Sequence, residues 1–344
     1  MSLYIIKNEV PLSEYDKLFK FIKYSWKENH AFVKSRDLLD FQHLDKDREV
    51  YHFIVAENQE TGDFDALVGY IPLSQYDKSL EENGDYWGAI WKRRDDIVND
   101  EIKGMGFFVW DRMFRLPSFK SHGAISMSND ARMMYKARRL PIDVMQHYYM
   151  LNEDVYDFVI AGNVDKGAFV NKGSDTERIE LRWINIFDVK EEEVHPCYRP
   201  LKSLNFFINR YEKHPIYKYC FLGLYKKTEL KALFAVREIS VGLSKVLRIV
   251  DVLGELQGNL YVSSQKLMKD GGYEYIDILN YGIDENIFTM MGFSKLNLNE
   301  STPIIPNYFE PFVKENVKFE ISYKAKFPYV AFKGDADQDR PNVL

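Results

Sequence analysis

The chain has 344 residues, 46% of them apolar and 28% charged, with a formal net charge of -6. That length exceeds what one hydrophobic core usually fills, so two domains are expected. Acidic and basic positions are interleaved and leave no basic stripe of the kind that neutralises a nucleic-acid backbone, so nucleic acid is excluded as a partner. No segment holds the roughly 20 uninterrupted apolar residues that span a bilayer, and Met1–Lys7 lacks the apolar core of a secretory leader. A soluble cytoplasmic protein with no membrane partner is expected. The two cysteines, Cys197 and Cys220, form no CxxC pair, and the seven histidines show no HExxH spacing. Neither a disulfide framework nor a metal site is expected, and both cysteines read as packing residues.

Leu12–Lys27 carries apolar residues at helical spacing and ends near Trp26–His30; a second short helix is expected over Arg36–Leu44. His52–Ala56 and Ala66–Pro72 read as a hairpin across the turn-rich Asn58–Asp65, and Tyr86–Trp91 reads as a third strand. A glycine turn, Lys103-Gly104-Met105-Gly106, leads into an apolar helix over Phe107–Phe114. A strand at Gly123–Met127 delivers the chain to Ser128-Asn129-Asp130, a helix start whose side chains can accept from early N–H groups. That helix stops before Pro141, and Ile142–Leu151 reads as a strand closing the first domain. Asn163–Asp175 is loop-like by composition.

Beyond it the plan repeats. A helix over Pro200–Tyr211 precedes a hairpin, Tyr219–Tyr225 and Ala232–Glu238; Leu247–Leu253 then leads through Gly254 to helix Gly258–Asp270, strand Tyr273–Leu279 and helix Asp284–Met291. Recurrence at this length scale indicates duplicated domains. The expected division is 1–155, a linker 156–195, and 196–344. Val317–Lys324 reads as an exposed strand and Lys333–Asn342 as a solvated ending; its alternating aspartates lack the glutamate that would complete a calcium loop.

Backbone N–H groups at a helix start lack carbonyl partners and sit at the positive end of the helix dipole, so Gly104 and Gly106 are suited to an anion, with Lys103 adding charge. The Walker lysine and hydroxyl are missing after Gly106, and no third glycine completes a dinucleotide fingerprint. On the helix that follows, Asn129 and Tyr135 can face one groove.

These residues resemble the GNAT acyltransferases, in which a (Gln/Arg)-x-x-Gly-x-(Gly/Ala) loop follows the fourth strand and an Asn-x-Ala-x-x-x-Tyr helix follows the fifth. The loop corresponds to Glu101–Gly106 and the helix to Asn129, Ala131 and Tyr135. Glu101 replaces the usual Gln or Arg and should point away from a pyrophosphate; Arg139-Leu140 stand where Gly-Phe commonly follows. In the second half Gly292-Phe293 keeps that ending, but Gly254–Asn259 lacks the paired glycines. The resemblance implies an α/β fold of the α+β mixed-sheet kind, two GNAT-like domains each with a largely antiparallel sheet flanked by helices. It also implies acyl-CoA as cosubstrate, without metal, bound by Lys103, Gly104, Met105, Gly106 and Asn129 of the first domain. The second domain would shape the acceptor cleft. Over most of its length the chain is similar to tandem enzymes that acylate nucleotide-linked amino sugars of bacterial surface polysaccharides.

In such enzymes the amine attacks the thioester directly, so the protein orients reactants and manages charge. Tyr135 is the expected donor to the leaving thiolate, or else a core tyrosine on an amphipathic helix. His30, and after it His147, are the expected proton acceptors, or structural histidines bonded to backbone; water can also take the proton. Asn29, Trp87, Trp91, His147, Arg248 and Asp251 are the expected acceptor-binding residues. Trp87 and Trp91 share a face of a regular strand, whereas Arg248 and Asp251 point to opposite faces. A non-catalytic tandem module and an aminoacyl transferase of the peptidoglycan-bridge type are the alternatives.

Overall fold

The computed structural model describes residues 3–98, 100–165, 171–173, 179–299 and 303–336, so the loop Asn163–Asp175 and the ending Lys333–Asn342 fall partly outside the described residues. The chain divides into two compact units. One comprises the described residues of Met1–Ile142, Ser322–Lys326 and Ala336–Leu344, the other those of Asp143–Ile321 and Phe327–Asp335.

In the first unit, β1 (Tyr4–Lys7) precedes the expected first helix, which forms as a 3-10 turn, α1 (Tyr15–Lys20) and a π turn over Phe21–Trp26 that buries Phe21 and Ile22. α2 (Arg36–His43) starts at Ser35, whose hydroxyl accepts from Leu38 N–H at 3.2 Å. Three strands then run as an antiparallel meander, β2 (Phe53–Asn58), β3 (Phe64–Pro72) and β4 (Asp85–Arg93). α3 (Ile102–Arg112) crosses over to β5 (Ser121–Ile125), which is parallel to β4, and α4 (Asn129–Ala137) follows. The sheet order is β1-β2-β3-β4-β5, then the strand Glu320–Lys324, then Ile142–Val144. Glu320–Lys324 therefore lies inside a sheet, with Ile321 and Ser322 buried, rather than as the exposed strand expected over Val317–Lys324. The core packs Ile54, Ala66, Val68 and Tyr70 of the sheet against Val109 and Trp110 of α3, Met113 of the 3-10 turn after it, and Tyr135 of α4.

The second unit repeats the order. β6 (Gln146–Leu151) pairs antiparallel with two strands of this unit's own sheet, which corrects the expectation that it closes the first domain. β7 (Glu180–Ile184), β8 (Cys220–Lys226), β9 (Glu229–Val241) and β10 (Ser244–Gly254) form an antiparallel series; α5 (Tyr261–Gly271) crosses to β11 (Tyr273–Tyr281), parallel to β10, and α6 (Glu285–Met291) follows. With β12 (Ser294–Lys295) the order is β7-β8-β9-β10-β11-β6-β12. α6 starts on the Asp284 side chain, 2.9 Å from Asn286 N–H, and stops at Gly292, which adopts φ 97°. Cys197 and Cys220 are exposed, so neither packs as expected.

Two features of the first unit lead to measurable expectations. Gly84 turns the chain into β4 at φ 60°, and a Cβ there would lie 1.7 Å from the Ser118 carbonyl oxygen, whereas Gly62 at φ 72° has open space around it. Gly62→Ala should cost only the left-handed penalty, about 1 kcal/mol, and Gly84→Ala at least about twice that, both read as shifts in urea midpoint.

Burial pushes the imidazoles of His52 and His122 down from 6.5 to about 3. The unfolded chain then binds protons first as pH drops, so stability should fall between pH 6.5 and about 3 by roughly 1.4 kcal/mol per pH unit for each histidine. Urea melts across this window check the slope, and His52→Phe should flatten it by the share of one group.

Candidate active site

The site begins where two parallel strands stop pairing. β4 and β5 are in register at Asp85↔Ser121, Tyr86↔His122 and Trp87↔Gly123, and the ladder ends there. The Ser121 hydroxyl donates to Asp85 at 2.5 Å at the closed end. Beyond it the strands line opposite sides of a cleft of about 210 Å³: Gly88–Trp91 on one side, Ala124–Ser128 on the other, with Trp26, Val68, Trp110, Met113, Ala131 and Tyr135 completing the wall. A bulge helps to produce the opening. Tyr70 pairs with Gly88 but Val68 pairs with Trp91, so β4 carries one extra residue there, which bends the strand and leaves a residue outside the ladder.

The same bulge overturns the expectation that Trp87 and Trp91 share a face. Trp87 is 2% exposed and absent from the cleft wall, while Trp91 lines it and donates its indole N–H to the Gly106 carbonyl at 2.9 Å. Trp91 thus ties β4 to α3.

Tyr135 is held by α4, whose cap is Ser128; the Ser128 hydroxyl accepts from Ala131 N–H at 3.3 Å. Asn129 is the first helical residue and is exposed. Ala131 and Tyr135, one helical turn apart, both line the cleft. The Tyr135 oxygen lies 2.8 Å from His122 Nε2, and its ring stands edge-on to Trp110 at 5.0 Å. Burial pushes the Tyr135 hydroxyl well above its ordinary value, an effect that the Trp110 indole N–H opposes. His122 escaped the sequence analysis because a lone histidine before a glycine, outside the strand as predicted, carries no spacing signal.

The glycine turn proves to be helix. α3 starts at Ile102, so Gly104 and Gly106 lie within its first turns, and the groups with the geometry to bind an anion are the first-turn N–H groups of Ile102–Gly104. Glu101 Oε2 accepts from the Leu3 backbone N–H at 2.9 Å, which fixes that carboxylate. Lys103 is exposed and pairs with Asp100 at 2.6 Å; Met105 packs on the core. A Cβ at Gly104 would meet only the Phe108 ring, at 2.9 Å.

His30 caps a short helical turn by accepting the Phe32 N–H at Nδ1, 3.2 Å, and its ring lies 5.0 Å from that of Trp26 in the cleft wall. A neutral imidazole whose Nδ1 accepts carries its proton on Nε2, so His30 presents a donor, and accepting an amine proton would require breaking the cap. Asn29 is exposed in the turn before it.

The predicted residues of the second unit are engaged in its interior. His147 Nε2 lies 2.8 Å from Asp277, and Arg248 reaches Asp277 at 2.5 Å and the Pro306 and Asn307 carbonyls at 2.8 and 3.1 Å. Asp251 binds Lys202 at 2.7 Å and the Tyr211 hydroxyl at 2.5 Å. All three are at most 3% exposed, so they serve the core rather than a ligand surface. Arg248 and Asp251 do not take the opposite sides that strand alternation predicts: they stand across from Arg237 and Ala235, which share a face of β9, because β10 carries an extra residue at Val250 between Ile249 and Asp251, and each has its own counter-charge.

The second unit has its own parted strands. The β10–β11 ladder ends at Ile249↔Ile278, and the chain returns to fill the gap: Ala331 and Phe332 pair with Tyr281 and Asn280, Lys333 N–H donates to Leu279, and Gly334 N–H donates to Val250 at 2.8 Å. Of the ending expected to be solvated, Lys333–Asp335 follow the strand Ala331–Phe332, with Lys333 and Asp335 buried. Asp335 is anchored by Lys202 at 2.8 Å.

No protein-family model and no curated protein sequence matches this chain. Solved structures do. A protein of unknown function from Enterococcus faecalis V583, described as a probable N-acyltransferase, is 10% identical over 85% of this chain and 70% of its own, with a TM-score of 0.51. A GCN5-related N-acetyltransferase from Anabaena variabilis ATCC 29413 is 8% identical over 92% and 72%, also with a TM-score of 0.51. At such identities the likeness concerns the fold: the chain has the mixed α/β architecture of GCN5-related N-acetyltransferases across two GNAT-like domains.

Proposed function

We propose that this protein is an acyl-CoA-dependent N-acyltransferase of the cytoplasm, with its acyl-CoA site in the first unit and a nucleotide-linked amino sugar as acceptor. The acceptor proposed is dTDP-3-amino-3,6-dideoxygalactose and the acyl group 3-hydroxybutyryl or acetyl, for a bacterial surface polysaccharide; this finer assignment rests on the sequence resemblance. The observation that carries the general reading is the contrast between the two units. The parted strands of the first open a cleft with Tyr135 in its wall, and those of the second are closed by Ala331–Gly334.

In this reading the first-turn N–H groups of α3 and the Lys103 charge take the pyrophosphate, with Gly104 permitting close approach and Asn129 adding a polar group at the start of α4. The thioester lies between β4 and β5, and a backbone N–H on the β5-facing edge of β4, beyond the last β4–β5 pair, serves the oxyanion. The amine nitrogen forms the C–N bond as the C–S bond breaks. Sulfur leaves as thiolate; the amine proton passes to water and the thiolate takes one from water. Because burial raises Tyr135, its O–H is a weaker acid than an ordinary thiol near 8.5, so it stabilises sulfur by a hydrogen bond without giving up its proton. No carboxylate or imidazole is among the described residues lining the cleft, which supports an amine that arrives unprotonated.

Thiol release from acetyl-CoA and 3-hydroxybutyryl-CoA, measured with a panel of dTDP- and UDP-amino sugars, tests the proposal. Acceptor-dependent release is expected; none across the panel sinks it in favour of a binding module, and transfer from aminoacyl-tRNA instead indicates a peptidoglycan-bridge enzyme. Tyr135→Phe should lower kcat about 10–1000-fold with acyl-CoA affinity unchanged, since the lost hydrogen bond strengthens only as charge reaches sulfur.

Gly104→Ala separates helix stability from ligand approach. Replacing a glycine in the first turn of a helix should stabilise the fold by up to about 1 kcal/mol, less what moving Phe108 costs. Calorimetric titration should at the same time show weaker acyl-CoA binding. Unchanged affinity would remove α3 from the pyrophosphate site.

A further inference from the structure

We infer that His122 is a positioning residue: it donates from Nε2–H to the Tyr135 oxygen and thereby turns the tyrosine O–H toward the cleft. What that hydrogen bond is for rests on the acyl-transfer reading above; its direction does not.

The 2.8 Å contact between His122 Nε2 and Tyr135 Oη is compatible with either donor. The surroundings decide between them. His122 has no exposed surface, and its Nδ1 has no hydrogen-bond partner among the described residues. A second proton is excluded at neutral pH, because burial and the Lys324 ammonium hold the ring neutral down to about pH 3. The single proton therefore sits on one nitrogen. On Nδ1 it would be a buried donor with nothing to receive it, while the tyrosine would spend its O–H on Nε2. On Nε2 it is bonded, and only a ring lone pair is left without a partner. Orphaned buried donors are rarer in proteins than under-used acceptors, so the Nε2–H form is favoured.

The consequence falls on Tyr135. With its oxygen accepting from His122, its own proton needs an acceptor. The Trp110 indole at its edge is a donor only and can accept nothing. Tyr135 lines the cleft, so the cleft is the direction left for the O–H.

Ring placement is enforced from three sides. His122 lies nearly parallel to Tyr135, 12° between planes, with the Phe114 ring edge-on at 5.1 Å. Beneath it is Gly88, the residue at which the β4 bulge begins; a Cβ there would approach His122 Cε1 to 2.9 Å. The glycine that opens the cleft also makes room for the ring behind the tyrosine.

Long-range proton–nitrogen correlation spectra of the full chain labelled with 15N-histidine decide the direction of the bond at pH 7, whether or not acyl transfer is detected. His122 is expected as the Nε2–H tautomer; finding its proton on Nδ1 overturns the inference. If no acyl transfer is found, the function above fails and this spectrum still stands. If transfer is found, His122→Leu should lower kcat by a factor similar to Tyr135→Phe with KM unchanged. His122→Gln, whose amide N–H can still donate, should recover part of it, and the double variant His122→Leu/Tyr135→Phe should lose no more than Tyr135→Phe alone. Losses that multiply in the double variant would show that His122 does not act through the tyrosine.

Discussion

The constraint on which the first unit depends is a parallel ladder that ends early. Parallel pairing between β4 and β5 stops at Trp87↔Gly123, while each strand continues past that point. β4 can leave its neighbour without unravelling because its other edge stays bonded to β3 through the bulge. The bulge bends the strand and shifts its side-chain parity, so that Trp91 changes from a partner of Trp87 to a clamp on α3. One inserted residue therefore bends β4 where its ladder with β5 ends and turns Trp91 onto the helix it clamps.

Duplication has been put to two uses. In the second unit the corresponding gap is closed by backbone pairing from Ala331–Gly334, and the ion pair of Lys202 with Asp251 and Asp335 locks that segment in place. Buried charges of this kind are tolerated only when each has a counter-charge and further hydrogen bonds, and removing one partner leaves the other stranded. Arg248, Asp277 and His147 form a second such group on the same face of the sheet. These clusters explain why charged residues on the strands of the second unit resemble a ligand site when read from sequence: buried pairing and ligand binding draw on the same residue types.

The tyrosine shows how burial and chemistry meet. Reading Tyr135 as core and reading it as a site residue describe the same placement, because it is 3% exposed and yet part of the cleft wall. Its burial raises the cost of losing its proton and strengthens any hydrogen bond it gives.

Local signals in the sequence were enough for the hairpins, for the helix started by Ser128, for the position of Tyr135 relative to Ala131 and for the repeated order of elements. Each of these depends on spacing or capping within a few residues. What the sequence left undetermined depends on partners far along the chain: β6 joining the second sheet, Glu320–Lys324 joining the first, the segment Ala331–Gly334 closing one gap, and His122 behind Tyr135. The bulge in β4 belongs to the same group, since an extra residue in a strand is visible only against the register of its neighbour. Periodicity states which face of an element is apolar; only tertiary packing decides which element covers it, and where a face is left open to form a site.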